Sequence, residues 1–199
     1  MSFEGKTVII TGASRGIGLA ISDELQDKYT VIGISKSGNN NTLKFDLSNQ
    51  QDLETVKNIE CDILINCAGI SNGTAKEVYN VNVFPLIELS EINYNRMESG
   101  IIINIGSVCV NFDINLNRIP SNYHTSKVAV KQFTNLLSDR KKANLSVTHV
   151  ELDMVQTDLT AHFPERFRNN FHTPKQIAKT ISWIIDAPKY PTITNIVLR

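Results

Sequence analysis

Eight residues near the N-terminus, Thr11-Gly12-Ala13-Ser14-Arg15-Gly16-Ile17-Gly18, follow an apolar run from Val8 to Ile10 and open a segment of helical period starting near Ile17. Glycines placed between a strand and a helix let the backbone turn tightly and lie against a pyrophosphate, whose charge is met by helix N–H groups. That setting is what makes a glycine pattern informative, because the same residues in a loop between two helices predict only a flexible turn.

The alternation continues along the chain. β-branched apolar runs at Thr7 to Ile10, Thr30 to Ile34, Leu43 to Phe45, Ile63 to Ile65, Ile101 to Ile105, Ser146 to Glu151 and Ile193 to Leu198 predict seven short strands. Helical periods run over Ile17 to Asp27, Gln50 to Asn58, Ala75 to Glu98, Ser121 to Lys142 and Pro174 to Ala187, the last opened by Thr173 as N-cap with Gln176 as its capping-box partner. Strands alternating with helices argue a parallel sheet covered on both faces, a doubly wound, Rossmann-like α/β fold of about seven strands. One crossover, Ser35 to Asn41, is too short for a helix and predicts a bare loop running back along the second strand.

At 199 residues and 41% hydrophobic the chain suits one buried domain, 1–199, rather than two. With 20 Lys and Arg balancing 20 Asp and Glu, nothing calls for nucleic acid or an anionic membrane; the one basic cluster, Arg140 to Lys142, sits where a helix should end and would complement its dipole. No signal peptide or membrane span is apparent, so a cytoplasmic protein is expected. Cys61, Cys67 and Cys109 form an odd set without metal or redox spacing, which reads as free thiols in a reducing compartment, and the four histidines show no metal-ligand spacing. No metal is expected.

Tyr123 and Lys127, in the run YHTSK, lie four apart and share a helix face. An ammonium beside a phenol lowers the phenol's pKa; bringing it from about 10 toward 7 takes roughly 4 kcal/mol of preferential stabilisation of the phenolate, which one cation plus a bound cofactor could supply. Such a tyrosine is a proton donor near neutral pH.

Taken together, Gly12, Gly16 and Gly18 in Gly-x3-Gly-x-Gly spacing, Asp46-Leu47 after the third strand, Asn66-Cys67-Ala68-Gly69 after the fourth, Asn82, Ser107 after the fifth, then Tyr123 and Lys127, resemble the short-chain dehydrogenase/reductase family of single-domain type over nearly the whole chain. The resemblance implies an oxidoreductase moving a hydride between nicotinamide and a small carbonyl or alcohol. Tyr123 would be the acid, Ser107 would bond the carbonyl oxygen, Lys127 would hold the nicotinamide ribose, and Asn82 would hold a water that reconnects Lys127 to solvent. Ser14, Arg15 and Ile17 in the glycine turn join the cofactor contacts, Asp46 with Leu47 would meet the adenine, the backbone of Asn66, Ala68 and Gly69 would flank the ribose, and Val155 and Thr157 would reach the carboxamide or phosphates.

No acid follows the second strand, where one would accept from a ribose 2′-hydroxyl. Ser35 and Lys36 stand there, with Arg15 nearby, so NADP(H) is expected over NAD(H). Where the family commonly has Pro-Gly after the sixth strand this chain has Leu152 and Asp153, a carboxylate that would face either the nicotinamide or solvent. The spacing from Asn66 to Asn82 is short for the family and that from Ser107 to Tyr123 long, so residues 109–120 would build the substrate wall. Residues 158–173 are the expected lid, with Phe163, Phe167 and Phe171 as one stripe of a short helix started by Pro164, and with His162, Arg166, Arg168 and His172 basic on its other faces. A dimer or tetramer fits the resemblance. A non-catalytic NADP sensor or scaffold is the rival reading, and a sugar epimerase would need a longer C-terminal substrate domain.

Overall fold

The computed structural model describes residues 5–111, 119–187 and 192–199. Seven strands pair in parallel in the order β3-β2-β1-β4-β5-β6-β7: β1 (Thr7–Thr11), β2 (Thr30–Ser35), β3 (Leu43–Lys44), β4 (Ile63–Asn66), β5 (Gly100–Ile105), β6 (Leu145–Leu152) and β7 (Asn195–Leu198). Side chains of β1, β4 and β5 alternate between two apolar layers, which is why β4 and β5 are buried from end to end. On one face Val8, Ile10, Ile63 and Ile65 meet α1 (Gly16–Leu25) and α7 (Pro174–Asp186) through Ile21, Leu25, Ile181 and Ile184. On the other, Ile9, Leu64, Ile102 and Val147 meet α2 (Gln50–Lys57), α4 (Phe84–Arg96) and α5 (Ser121–Asp139) through Leu53, Leu89 and Leu137. Each fully buried side chain of this kind contributes about 1.5–3 kcal/mol.

Strand order reverses between β1 and β4, since the chain winds outward to β3 and then returns to the other side of β1. A crevice at the carboxyl ends of those two strands is the expected ligand site of such a sheet. The link from β2 to β3 is a helix-free loop, as its length requires.

Three expectations need correction. The single helical run from Ala75 to Glu98 is two helices, α3 (Ala75–Asn82) and α4, divided at Val83 (φ −115°) because Pro85 has no N–H to continue the ladder and instead suits a helix start. The phenylalanine stripe does not lie on one helix: α6 (Glu165–Arg168) is a single turn, Phe163 and Phe171 stack edge to face at 5.7 Å, and Phe167 is half exposed under the Arg166 guanidinium. Pro164 starts that helix as its N-cap rather than within its first turn. The basic cluster stands at the end of α5, as expected, and also ties that helix to its neighbour, with Arg140 forked onto Glu91 and Lys142 donating to the Tyr94 carbonyl at 2.7 Å. Of the expected substrate wall, residues 112–118 lie outside the described residues.

Candidate active site

The glycine turn hangs between two strands. Gly12 and Ala13 donate to the Ile34 carbonyl, and Thr11 Oγ1 accepts from the amides of Cys67 and Ala68 at 3.0 and 3.1 Å, so β1 is laced to the exits of both β2 and β4. Gly12 has φ +72°, and a Cβ there would stand 2.8 Å from Ala68 Cα; one on Gly18 would fall on the Gly12 carbonyl. The turn therefore exists only without side chains at these two places. Gly16, at φ +56°, faces Thr157. Asn49, Thr74 and Thr173 cap their helices with side chains, whereas α1 begins at the extended, exposed Arg15 with no side-chain cap and no acid in its first turn. Its leading amides and its dipole are left for an anion, so a dinucleotide pyrophosphate fits this cradle.

At the adenosine end the residues are differently arranged from the expectation. Ser35 spends its hydroxyl internally, sharing a hydrogen bond with Thr42 Oγ1 at 2.6 Å and accepting from Gly38 N at 3.0 Å. Lys36 and Asp46, expected at separate parts of the nucleotide, are paired with each other at 2.7 Å. Burial works to raise the Asp46 carboxyl but is outweighed by hydrogen bonds from Lys36 and Ser48, leaving it below its ordinary value. Leu47 packs in the core, and the Asn66 side chain points away from the crevice, donating to Ser90 Oγ and Asn104 Oδ1 in the layer under α4 and α5. Only the backbone of 66–69 borders the turn. Val155 is buried and its carbonyl accepts from Thr160 Oγ1 at 2.6 Å, holding the strand-like link that ends in Thr157. Asp153 is exposed and turns back to accept from Met154 N at 2.8 Å.

At the reaction end Lys127 and Asn82 are buried, and Tyr123 and Ser107 are half-buried. Tyr123 and Lys127 project from α5 toward the end of β5, where Ser107 begins a 3-10 turn (Val108–Val110) by accepting from Cys109 N at 3.2 Å. Lys127 Nζ lies 5.9 Å from the Tyr123 ring centroid and donates to the Ile105 carbonyl at 3.0 Å. Burial pushes the Tyr123 phenol up to about 12, nearby Cys109 adds to the rise, and the neighbouring Ser107 hydroxyl pulls the other way. The expected lowering by Lys127 is thus absent from the protein's own contribution: the ammonium is itself desolvated, which holds its pKa below the usual lysine value, and it is turned to the backbone. Asn82, at the end of α3, accepts from Ile70 N at 2.8 Å and donates to Ile70 O and Ser126 Oγ, while Ser126 donates to the Tyr123 carbonyl. Its amide therefore clamps the β4 exit to the helix that carries Tyr123.

Several charged and polar groups at this end were missed from sequence. Glu151, fully buried on β6, pairs with Lys131 one turn beyond Lys127, and His149 sits buried on the same strand face with both ring nitrogens unpartnered among the described residues. The His149 ring lies over Gly106, where any Cβ would overlap it, and burial lowers its pKa to about 4. The available signal was a histidine and a glutamate two apart in a strand, together with the 123, 127, 131 spacing on α5. Free thiols were anticipated, but not that Cys67 and Cys109 would flank the Lys127 ammonium; burial raises both, Cys67 to about 11.

The comparisons agree with this geometry. The chain is 32% identical over 193 residues to the 3-oxoacyl-[acyl-carrier-protein] reductase FabG of Vibrio harveyi, covering 80% of this chain and 78% of that protein. The Vibrio cholerae reductase of the same name is 28% identical over 237 residues, covering 98% and 95%. Among solved structures, a putative NAD(P)-dependent gluconate 5-dehydrogenase from Beutenbergia cavernae superposes with a TM-score of 0.87 at 22% identity, covering 98% and 96%, which establishes the shared fold. Residues 6–167 match the family model for short chain dehydrogenases, and with the turn, the parallel sheet and the Tyr123, Lys127 and Ser107 cluster all in register, the chain belongs to that oxidoreductase family.

Proposed function

We propose that this protein is an NADP(H)-preferring carbonyl reductase or alcohol dehydrogenase, acting on a small carbonyl compound, with 3-oxoacyl thioesters the first class to try because the relatives named above are reductases of such substrates. The observation that carries the reading is the Tyr123 phenol placed beside Ser107 at the end of β5, with Lys127 buried one helical turn behind it. Bound NADP(H) supplies or takes up the hydride. Tyr123 Oη gives its proton to the carbonyl oxygen, and the Ser107 hydroxyl donates to the same oxygen as charge builds on it. Lys127 has to leave the Ile105 carbonyl to approach the ribose and the phenolate; the move exchanges one acceptor for another in a buried site. The Asn82 clamp keeps the first turn of α5 from drifting while it happens. Residues 158–173, which cross the Thr157 end of the crevice, serve as the lid of the single domain, and free thiols at three positions fit a cytoplasmic enzyme.

NADP(H) preference rests on Arg15 and Lys36 and on the absence of an acid after β2. Both cations are already engaged, Arg15 with Asp158 at 3.3 Å and Lys36 with Asp46 at 2.7 Å, but exposed pairs of this kind are worth little and a 2′-phosphate would outbid them. The test is cofactor oxidation with a panel of ketones, aldehydes and an acetoacetyl thioester, after NADPH binding has been measured separately. Turnover of at least one carbonyl is expected; tight binding with no turnover across the panel would move the protein to the sensor or scaffold reading.

A further inference from the structure

The two strips of chain that carry the catalytic oxygens meet at a carboxylate that the reaction does not use. Glu151, with no exposed side-chain surface, accepts from Lys131 Nζ on Oε1 at 2.7 Å and from Asn111 Nδ2 on Oε2 at 2.9 Å. Lys131 also donates to Asn111 Oδ1 at 3.3 Å, and Asn195 of β7 reaches Glu151 Oε1 at 3.4 Å. Asn111 closes the 3-10 turn that Ser107 opens, four residues away, with its own amide bonded to Val108 O at 3.0 Å. Lys131 lies two helical turns along α5 from Tyr123, on the face that also carries Lys127. One buried carboxylate is therefore bonded to both ends of the problem: the strip that presents Ser107 and the helix that presents Tyr123.

We propose that Glu151, with Lys131 and Asn111, is a positioning strut that sets the distance between the Ser107 and Tyr123 hydroxyls. The proposal rests on the functional reading above. Ser107 sits on an irregular turn just past β5, beyond the last paired strand residues, and Ile105 and Gly106 are the last points at which the sheet itself holds that strip. Beyond them the backbone amides of Val110 and Asn111 donate to the Ser107 and Val108 carbonyls and Cys109 N donates to Ser107 Oγ, all inside the turn, while the Asn111 side chain bonds the turn to the strut. Burial works to raise the Glu151 carboxyl, but hydrogen bonds from Lys131 and Asn111 outweigh it, so the group stays charged and its bonds are of the strong, charge-assisted kind. The adjacent departure at Leu152 and Asp153 fits the same picture. Leu152 pairs with Leu198 and Asp153 N donates to the Leu198 carbonyl at 3.0 Å, so β6 continues in full hydrogen-bonded register past Glu151 and gives the strut a rigid base.

The strut is tested on the full chain with three variants, Asn111→Ala, Lys131→Met and the double Glu151→Gln with Lys131→Met. Two readouts are combined: steady-state kinetics with NADPH and an acetoacetyl thioester, and residue-resolved amide exchange. Misplacing a catalytic group by a fraction of an ångström predicts a kcat about tenfold lower in Asn111→Ala and Lys131→Met, with KM for NADPH within about twofold. Exchange at Cys109 and Asn111 should quicken by about tenfold in both while Ile9 and Ile10 in β1 stay unchanged. The double variant, which no longer buries an uncompensated charge and keeps an amide to bridge Asn111, should recover about threefold or more over Lys131→Met. A kcat in Asn111→Ala equal to wild type, acceleration spread equally to β1, or a double variant slower than Lys131→Met overturns the strut. Failure of the functional reading shows separately, as a wild type that reduces no carbonyl; unaltered exchange at 109–111 in Lys131→Met would then refute the strut without any turnover.

Discussion

The nucleotide end and the reaction end of this crevice are built from opposite materials. At the nucleotide end the shape is backbone: Gly12 lets β1 close on the exit of β4, Gly18 lets the helix start close on Gly12, the helix is uncapped, and the polar side chains sit near solvent in pairs, Arg15 with Asp158 and Lys36 with Asp46. At the reaction end the shape is side chain. Tyr123, Lys127, His149 and Glu151 have pKa shifts led by burial or by bonds that overcome it, and the Asn82 amide is buried beside them. The lesson is that binding at one end should tolerate changes of charge but not of backbone volume, and that the other should respond in the reverse way.

The largest effect should come from removing a single oxygen at the reaction end. Tyr123→Phe is expected to lower turnover by about a thousandfold or more, within the range for a lost general acid, while NADPH affinity stays within about threefold. Initial rates and binding titrations decide it; more than a tenth of wild-type rate would take the proton donor's role from Tyr123.

Burial of neutral His149 makes a pH prediction. Its folded pKa, about 4, lies below the ordinary 6.5, so between those values the unfolded chain binds a proton that the native protein does not. The stability this group contributes is therefore present above pH 6.5 and lost as pH falls through about 4, by about 3 kcal/mol. Urea unfolding at a series of pH values should show this slope in wild type and a flatter one in His149→Leu; identical slopes would show that the histidine binds its proton equally well in the folded and unfolded chain.

At the nucleotide end, Gly12→Ala should cost more than any single charge there. A left-handed backbone and a Cβ pressed on Ala68 are expected to weaken NADPH binding by about a hundredfold and the fold by about 2 kcal/mol. Binding within threefold of wild type would mean the turn can relax, and the contrast between the two ends would fail. The smallest effect should be the change of cofactor. Wild type is expected to prefer NADPH over NADH by about tenfold in kcat/KM, and Ser35→Asp combined with Lys36→Ala to reverse the order, because charged phosphate contacts of about 1.5–3 kcal/mol are exchanged for repulsion. Ser35 is also buried in the β2–β3 loop, so the variant is read only if its unfolding midpoint is near wild type.

Local chemistry made much of this molecule legible from sequence. The glycine turn, the parallel alternation, the capping box of Thr173 and Gln176, and the shared face of Tyr123 and Lys127 each depend on residues within a few positions of one another, where periodicity and backbone freedom act directly. Pro85 could have been read as a helix boundary, but the apolar period runs through it unbroken. What only the tertiary structure decided are pairings across large separations and the direction of their electrostatics. Lys36 meets Asp46, Glu151 meets Lys131 and Asn111, and Lys127 turns to Ile105; the 123, 127, 131 spacing marks one face of α5 but not the partner that each of its lysines takes. The same holds for the Tyr123 pKa. A lysine four residues away predicts a lowered phenol, yet Lys127 is turned to the Ile105 carbonyl and desolvation, which depends on every element packed above the site, pushes the group to about 12.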